Sequence, residues 1–318
     1  MKYNYRTDKQ RKWFFWSICF VALALSFCIT FKATGSECLE KLFAVKFEGY
    51  AFFSISPSAN YILVQIPIEE LPEGTEFGPG GVFRLYNKQG VLLWEREYKG
   101  DLLFCPNEAY LMQPSAVEFE SVERPAIHYL KDGNLFFRLP DKDLEVRSFD
   151  VSQKGDMIVA GLFDATIFLM HKGKKVWTYS PGMGIFADVA FSNNGNFFMD
   201  GLNNILFSFD KHGVVHKIDA PIVKEKLQSF DHSDLKDSIH FIFGQTRYIY
   251  KYIPQENKLY FLDLSYVKEA KGKLLIGHLN KKYHIQPKKI IFSAYLDHVG
   301  VITDDAFHYF RIKCKEKQ

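Results

Sequence analysis

Two stretches of this chain repeat one another at a fixed interval, which constrains the fold more than any other feature. The segment FDVSQKGDMIVAGLFDATIFLMHKGKKVW begins at Phe149, and VAFSNNGNFFMDGLNNILFSFDKHGVVHK begins at Val189. Ser152, Gly155, Gly161, Leu162 and Gly173 meet Ser192, Gly195, Gly201, Leu202 and Gly213, each at an offset of 40 residues without a gap. Self-similarity at such a period marks a chain built from stacked supersecondary units. The frame recurs as ISPSANYILV from Ile55, FCPNEAYLM from Phe104, FDHSDLKDSIHFIFG from Phe230 and, more loosely, FSAYLDHVGVI from Phe292.

Each unit reads as four short strands, for example 186–192, 196–200, 205–209 and 214–218. Turns of the Asn-Asn-Gly and Lys-His-Gly kind separate them, because hairpin turns need residues that tolerate positive φ. The turn before the fourth strand recurs at Gly90, Gly133, Gly173 and Gly213, then at Asn257. Four residues beyond it stand Trp94, Phe137, Trp177, Lys217 and Phe261. All but Lys217 are large aromatics, suited to packing between neighbouring sheets. The high aromatic content, 31 Phe and 17 Tyr, agrees with pleated, half-buried surfaces.

A four-stranded unit of ~40 residues is the blade of a β-propeller. On the turns NKQGVLLW, LKDGNLFF and HKGKKVW, residues 38–318 resemble, at the level of the fold, the WD-repeat-like and PQQ-like β-propeller proteins, including the outer-membrane-assembly scaffold type. No Gly-His…Trp-Asp signature is present, so a true WD-repeat protein is not implied. The expected fold is all-β, a six-bladed β-propeller whose last blade has three C-terminal strands, 289–293, 299–303 and 307–313. Residues 42–47 would complete that blade, antiparallel to 307–313. A seven-bladed alternative needs a further unit within 264–288.

Residues 13–31 carry no charge, and at ~1.5 Å per residue they just span a bilayer core of ~30 Å. Lys2, Arg6, Lys9, Arg11 and Lys12 precede them, which places the N-terminus in the cytoplasm and the rest outside. The chain thus divides into a cytoplasmic basic tail (1–12), a transmembrane signal-anchor helix (13–31), a short linker (32–37) and an extracytoplasmic propeller (38–318). The expected location is the cell membrane, single-pass. The rival is a cleaved signal, with Ala33 and Gly35 as the small residues before the cut, giving a secreted or periplasmic protein. Lipoprotein processing at Cys28 is opposed by the bulky Phe27 before it.

The net charge of +3 argues against a uniformly basic nucleic-acid binder. His212 and His216 straddle a turn between strands, so the helical logic of a metal pair fails, and they read as surface histidines. Asp231, His232 and Asp234 imitate a catalytic cluster but occupy the strand-end position of residues 150–153. No metal spacing, phosphate-cradling loop or nucleophile elbow occurs, and no catalytic residue, metal or cofactor is expected. Cys105 takes the place of Ser56, Ser152 and Ser192, and reads as a small buried residue. Cys19 and Cys28 lie in the apolar span. Completion of the sixth blade would bring Cys38 beside Cys314, so a disulfide between them is expected.

Three long connections carry charge. One, 66–81, holds Glu69, Glu70, Glu73 and Glu76; another, 113–125, holds Glu118, Glu120 and Glu123; the third, 264–288, holds Lys268, Lys271, Lys273, Lys281, Lys282 and Lys288. Long loops on a rigid scaffold concentrate binding residues. These acids and lysines, Lys268 apart, are the expected docking residues for another protein or an envelope component. The bland alternative is that they merely solvate their loops. The functional expectation is a membrane-anchored, non-catalytic protein–protein interaction scaffold in the cell envelope, contacting no nucleic acid. The alternative is a propeller-class enzyme, hydrolase or quinoprotein-like, with a pocket at the central axis.

Overall fold

The computed structural model describes residues 39–67, 80–105, 108–113, 125–139, 146–162, 164–181, 187–210, 214–243 and 248–313. The first described element is β1 (Leu39–Lys46). A first sheet follows, β2 (Phe52–Ile55), β3 (Tyr61–Ile66), β4 (Gly81–Asn87) and β5 (Leu92–Tyr98), then a second, β6 (Leu103–Phe104), β7 (Tyr110–Gln113), β8 (Ala126–Tyr129) and β9 (Leu135–Arg138). The third holds β10 (Val146–Val151), β11 (Met157–Leu162), β12 (Ile167–His171) and β13 (Lys174–Tyr179). The fourth holds β14 (Val189–Phe191), β15 (Phe197–Asp200), β16 (Ile205–Phe209) and β17 (Val215–Ile218). These four sheets are antiparallel, with strands in sequence order.

The fifth sheet is built differently. It comprises β18 (Ile222–Lys226), β19 (Ile239–Phe241), β20 (Tyr248–Ile253) and β21 (Lys258–Asp263), in the order β18-β21-β20-β19. Its outer strand β18 runs parallel to β21, with Ile222 opposite Leu259. Where the other units open with a strand, this one has a 3-10 turn, His232–Leu235. Helix α1 (Ser265–His278) and a π-helical turn, Leu279–Tyr283, lead into β22 (Lys289–Phe292), β23 (His298–Ile302) and β24 (Ala306–Ile312). The sixth sheet has the order β1-β24-β23-β22, and β1 pairs antiparallel with β24, Leu39 opposite Ile312.

Side chains alternate across each strand, so a strand covered on both faces reads as an unbroken apolar run. In β11, buried throughout, Met157 and Val159 pack towards the fourth sheet while Ile158, Ala160 and Leu162 pack towards the second. The division recurs in β3, where Ile62 and Val64 meet Phe307 and Tyr309 of β24, and Leu63 meets Phe104 and Leu111 of the second sheet. Each fully buried Phe or Leu of this kind contributes roughly 1.5–3 kcal/mol over leaving it in water. The fourth-strand aromatics fill the same seams. Trp94 donates its indole N–H to the Leu130 carbonyl at 2.8 Å, and Trp177 packs edge-on to Phe198 and Phe207. Helix α1 lies between the last two sheets, with Val267 among Ile249, Leu262 and Leu296, and Leu275 among Val299, Val301 and Phe310.

Several expectations are corrected here. The strands form six separate four-stranded sheets, and among the described residues no strand ladder runs from one sheet into the next and no sheet closes on itself. β1 joins the last sheet antiparallel to β24 and becomes its edge strand, with β22 as the other. Together with the mixed fifth sheet, this replaces the closed six-bladed propeller by six individual sheets. The seven-bladed alternative falls because 265–283 is helical rather than a hidden four-stranded unit. The resemblance to WD-repeat-like and PQQ-like propellers is withdrawn with it.

Among the described residues no helix is long and apolar enough to cross a membrane. The longest, α1, carries Lys268, Glu269, Lys271 and Lys273. The apolar run 13–31 lies outside the described residues. A single-pass topology with a signal-anchor helix, and the membrane partnership and envelope location drawn from it, have no counterpart among the described residues and are set aside.

Candidate functional site

In four units a serine at the end of the first strand organises the turn to the second. Ser56, Ser152, Ser192 and Ser293 each accept at Oγ from the backbone N–H five residues on, at 3.1–3.2 Å. Cys105 holds the equivalent place in the second sheet, where its backbone N–H bonds the Tyr110 carbonyl. Three residues after each of these five positions the chain passes through the left-handed region, at Ala59, Glu108, Gly155, Gly195 and Leu296. Glycine enters this region without penalty, whereas a residue with Cβ pays roughly 1–2 kcal/mol. Glu108, at φ 54°, is the charged member of the set.

These turns converge. A cavity of about 220 Å³ is lined by Ser58 of the first unit and Glu108 of the second, Asp150, Val151 and Gln153 of the third, and Phe191, Ser192 and Asn193 of the fourth. His240 and Ile242 come from the fifth and Tyr295 from the sixth. Asp150, Phe191 and His240 are buried, Glu108 and Tyr295 half-buried, and Ser58, Gln153 and Asn193 exposed. Buried residues thus form a floor and the turn tips a rim.

The polar groups are fixed by their partners. Asp150 Oδ1 accepts from its neighbour Val151 N–H and Oδ2 from Phe191 N–H of the fourth sheet, both at 2.8 Å. The Cys105 thiol is a further hydrogen-bond partner of this carboxyl. Burial outweighs these bonds and raises the Asp150 pKa to about 7. Burial, then the adjacent Asp150 charge, pushes the Cys105 thiol well above its ordinary range. The Glu108 carboxylate accepts from both the backbone N–H and the hydroxyl of Ser58, joining the first two units. Asn193 pairs with His240 like a strand residue, its N–H donating to the His240 carbonyl and its side-chain oxygen accepting from the His240 N–H, each at 3.0 Å. His240 Nε2 lies 3.3 Å from the Tyr295 hydroxyl. Burial first, then the Glu108 and Asp297 charges, lifts Tyr295 to about 12, so it stays a neutral phenol.

Among the described residues, none of the charged ones singled out from the sequence lines this cavity. Glu69, Glu70, Glu73, Glu76, Glu118, Glu120, Glu123, Cys38 and Cys314 lie outside the described residues. Lys271 and Lys273 sit on α1, with Lys273 paired to Glu269 at 2.6 Å. Lys281 and Lys282 lie on the π-helical turn, and Lys288 forms an ion pair with Asp304. Lys273 and Lys288 share a groove with Lys268, Lys289 and Ile276, while Lys271, Lys281 and Lys282 stand outside it. Asp231 and Asp234 form a reciprocal cap on the 3-10 turn, so the apparent catalytic cluster is a helix-start device. His216 is exposed on β17.

Compared with known protein families and with curated proteins, the chain matches none. The anchored scaffold and the axial-pocket propeller enzyme both took the closed propeller as their premise. With that fold corrected, neither is carried forward.

Proposed function

We propose that this chain binds a small polar molecule in the cavity where the turns of its six units meet. The observation that carries the reading is the composition of the lining. Every sheet contributes, the floor is buried, and carboxyl, amide, hydroxyl, imidazole and phenol groups face one space. Pockets of this kind pair an enclosing wall with a few fixed polar groups that set orientation. The role is read as binding, with both carboxyls held in place by donors of the turns and seams. Such groups are preorganised to receive a ligand's donors at little cost in ordering.

The test is a thermal-shift survey of small polar compounds on the full chain and on Ser58→Trp, which blocks the rim. A ligand at 100 times its Kd stabilises the folded state by about 2.7 kcal/mol, a readily measured shift. The reading requires at least one compound that stabilises the wild type and not the variant, the variant melting cooperatively alone. Equal shifts in both, or none in either, would refute it.

A further inference from the structure

The cavity has a charge preference that its polar character alone does not state. Among the described residues two carboxyl groups line it, Glu108 and Asp150, and no lysine or arginine does. Tyr295 lines it as well, and so does Phe191, whose ring packs edge-on to Phe198 and Phe209 in the core behind it. Carboxyl groups without an opposing cation among the described residues favour a cation over a neutral molecule or an anion, and the aromatic residue beside them favours an organic one. Building on the binding function above, we propose that the ligand is a small organic cation, an ammonium compound held by Glu108 and Asp150 beside Tyr295.

The two carboxyls have different parts. Each Glu108 oxygen is engaged by one donor of Ser58, and a carboxylate oxygen offers two lone-pair directions, so one on each remains for a ligand. Glu108 is also half-buried, so a ligand entering past the rim can reach it. Asp150 on the floor is fully enclosed, and an arriving cation would favour its ionised form. The volume of 220 Å³ admits at least about seven water-sized groups at ~30 Å³ each, the scale of a compound with a handful of heavy atoms.

Three probes of one shape and different charge separate this from the general binding function: choline, its neutral analogue 3,3-dimethylbutan-1-ol, and the anion 3,3-dimethylbutyrate. Calorimetry on the full chain should give choline an affinity at least about tenfold above the other two, the difference expected of a desolvated charge-assisted contact. Glu108→Gln should weaken choline about tenfold and leave the alcohol unchanged, since the charge is lost while the Ser58 hydroxyl can turn to accept from the new amide NH₂. This residue is half-buried at a turn, so the variant is expected to fold, and its melt verifies that. Equal affinity for choline and the alcohol, or preference for the anion, overturns the cation assignment and leaves the cavity's binding function standing. Choline binding that Glu108→Gln does not change also overturns it. Failure of all three probes, alongside a survey that finds no ligand, overturns both.

Discussion

Asp150 gives this fold a pH dependence that is calculable and separable from the rest. Its carboxyl is enclosed and titrates near 7 in the folded protein, against 3.8 ordinarily. A proton held more tightly in the folded chain favours folding while it is bound. The contribution is therefore complete below about pH 3.8 and is lost as pH rises through about 7. At about 1.4 kcal/mol per pKa unit, the loss between pH 4 and 8 is about 4 kcal/mol, a large share of a typical folding free energy. The wild-type curve will not display it alone. His128 is pushed down to about 4, mainly by burial, so its folded form resists protonation and stability rises with pH between about 4 and 6.5. The two trends oppose each other.

Asp150→Asn separates them. The amide cannot ionise, and its NH₂ must meet one of two backbone donors, Val151 N–H or Phe191 N–H. That mismatch lowers stability by a constant amount at every pH and leaves His128 untouched. Urea unfolding of both proteins from pH 4.5 to 8.5 should show the wild type losing roughly 3–4 kcal/mol relative to the variant as pH rises, most of it between pH 4.5 and about 7. Parallel curves would mean that the hydrogen bonds to Asp150 already compensate its burial, and the reasoning would fail.

Other substitutions probe the seams between sheets. Trp94→Phe keeps the ring but strands the buried Leu130 carbonyl, and should cost about 1–3 kcal/mol in urea unfolding. Gly161→Ala would place a methyl carbon 2.6 Å from the Ala187 carbonyl oxygen, between the third and fourth sheets, so a loss of about 1–3 kcal/mol is expected; an unchanged midpoint would show that the seam can open freely. Cys105→Ser installs the residue used at four other turns and should change stability by less than about 0.5 kcal/mol. Cys105→Ala, which removes the partner of Asp150, should cost about 1 kcal/mol by the same assay.

What the sequence made legible is what each unit states locally. The 40-residue interval, the serine turns and the aromatics four residues past the hairpin glycine all depend on residues close together in the chain. The structure places them as strand ends, turn anchors and seam fillers. Phe230 to Phe243 was misleading because its residues fit the repeat frame by type. Asp231, Ser233 and Asp234 instead satisfy one another in a cap, which makes a 3-10 turn cheaper than a strand, and β18 then joins the sheet from the other side. Helix α1 was hidden for another reason. It buries Val267 and Leu275 yet exposes Leu274 and Ile276, so no single apolar stripe marks it, and Gly272 and Gly277 dilute its helix propensity. The cavity was illegible because its lining comes one to three residues per unit, spread from position 58 to position 295.

That spacing also explains how a repeat can carry a specific site. In the serine turns, the first residue and the one in the left-handed region answer to the backbone: they close the turn, and changing them costs the strand register. The residues between or after them are released from that duty. Gln153 and Asn193 stand one place after their serines, and Ser58 and Tyr295 two places after. Where the backbone requirement and the cavity meet in one residue, at Glu108, the chain accepts a strained conformation that glycine fills in the third and fourth units. Strain of this kind persists where the surroundings over-determine it, and here the clamp from Ser58 supplies the determination. Replacing Glu108 by glycine would therefore relax the backbone while emptying a carboxylate from the cavity. Stability would be held or raised and ligand affinity lost together, a pairing that a purely structural role for Glu108 would not produce.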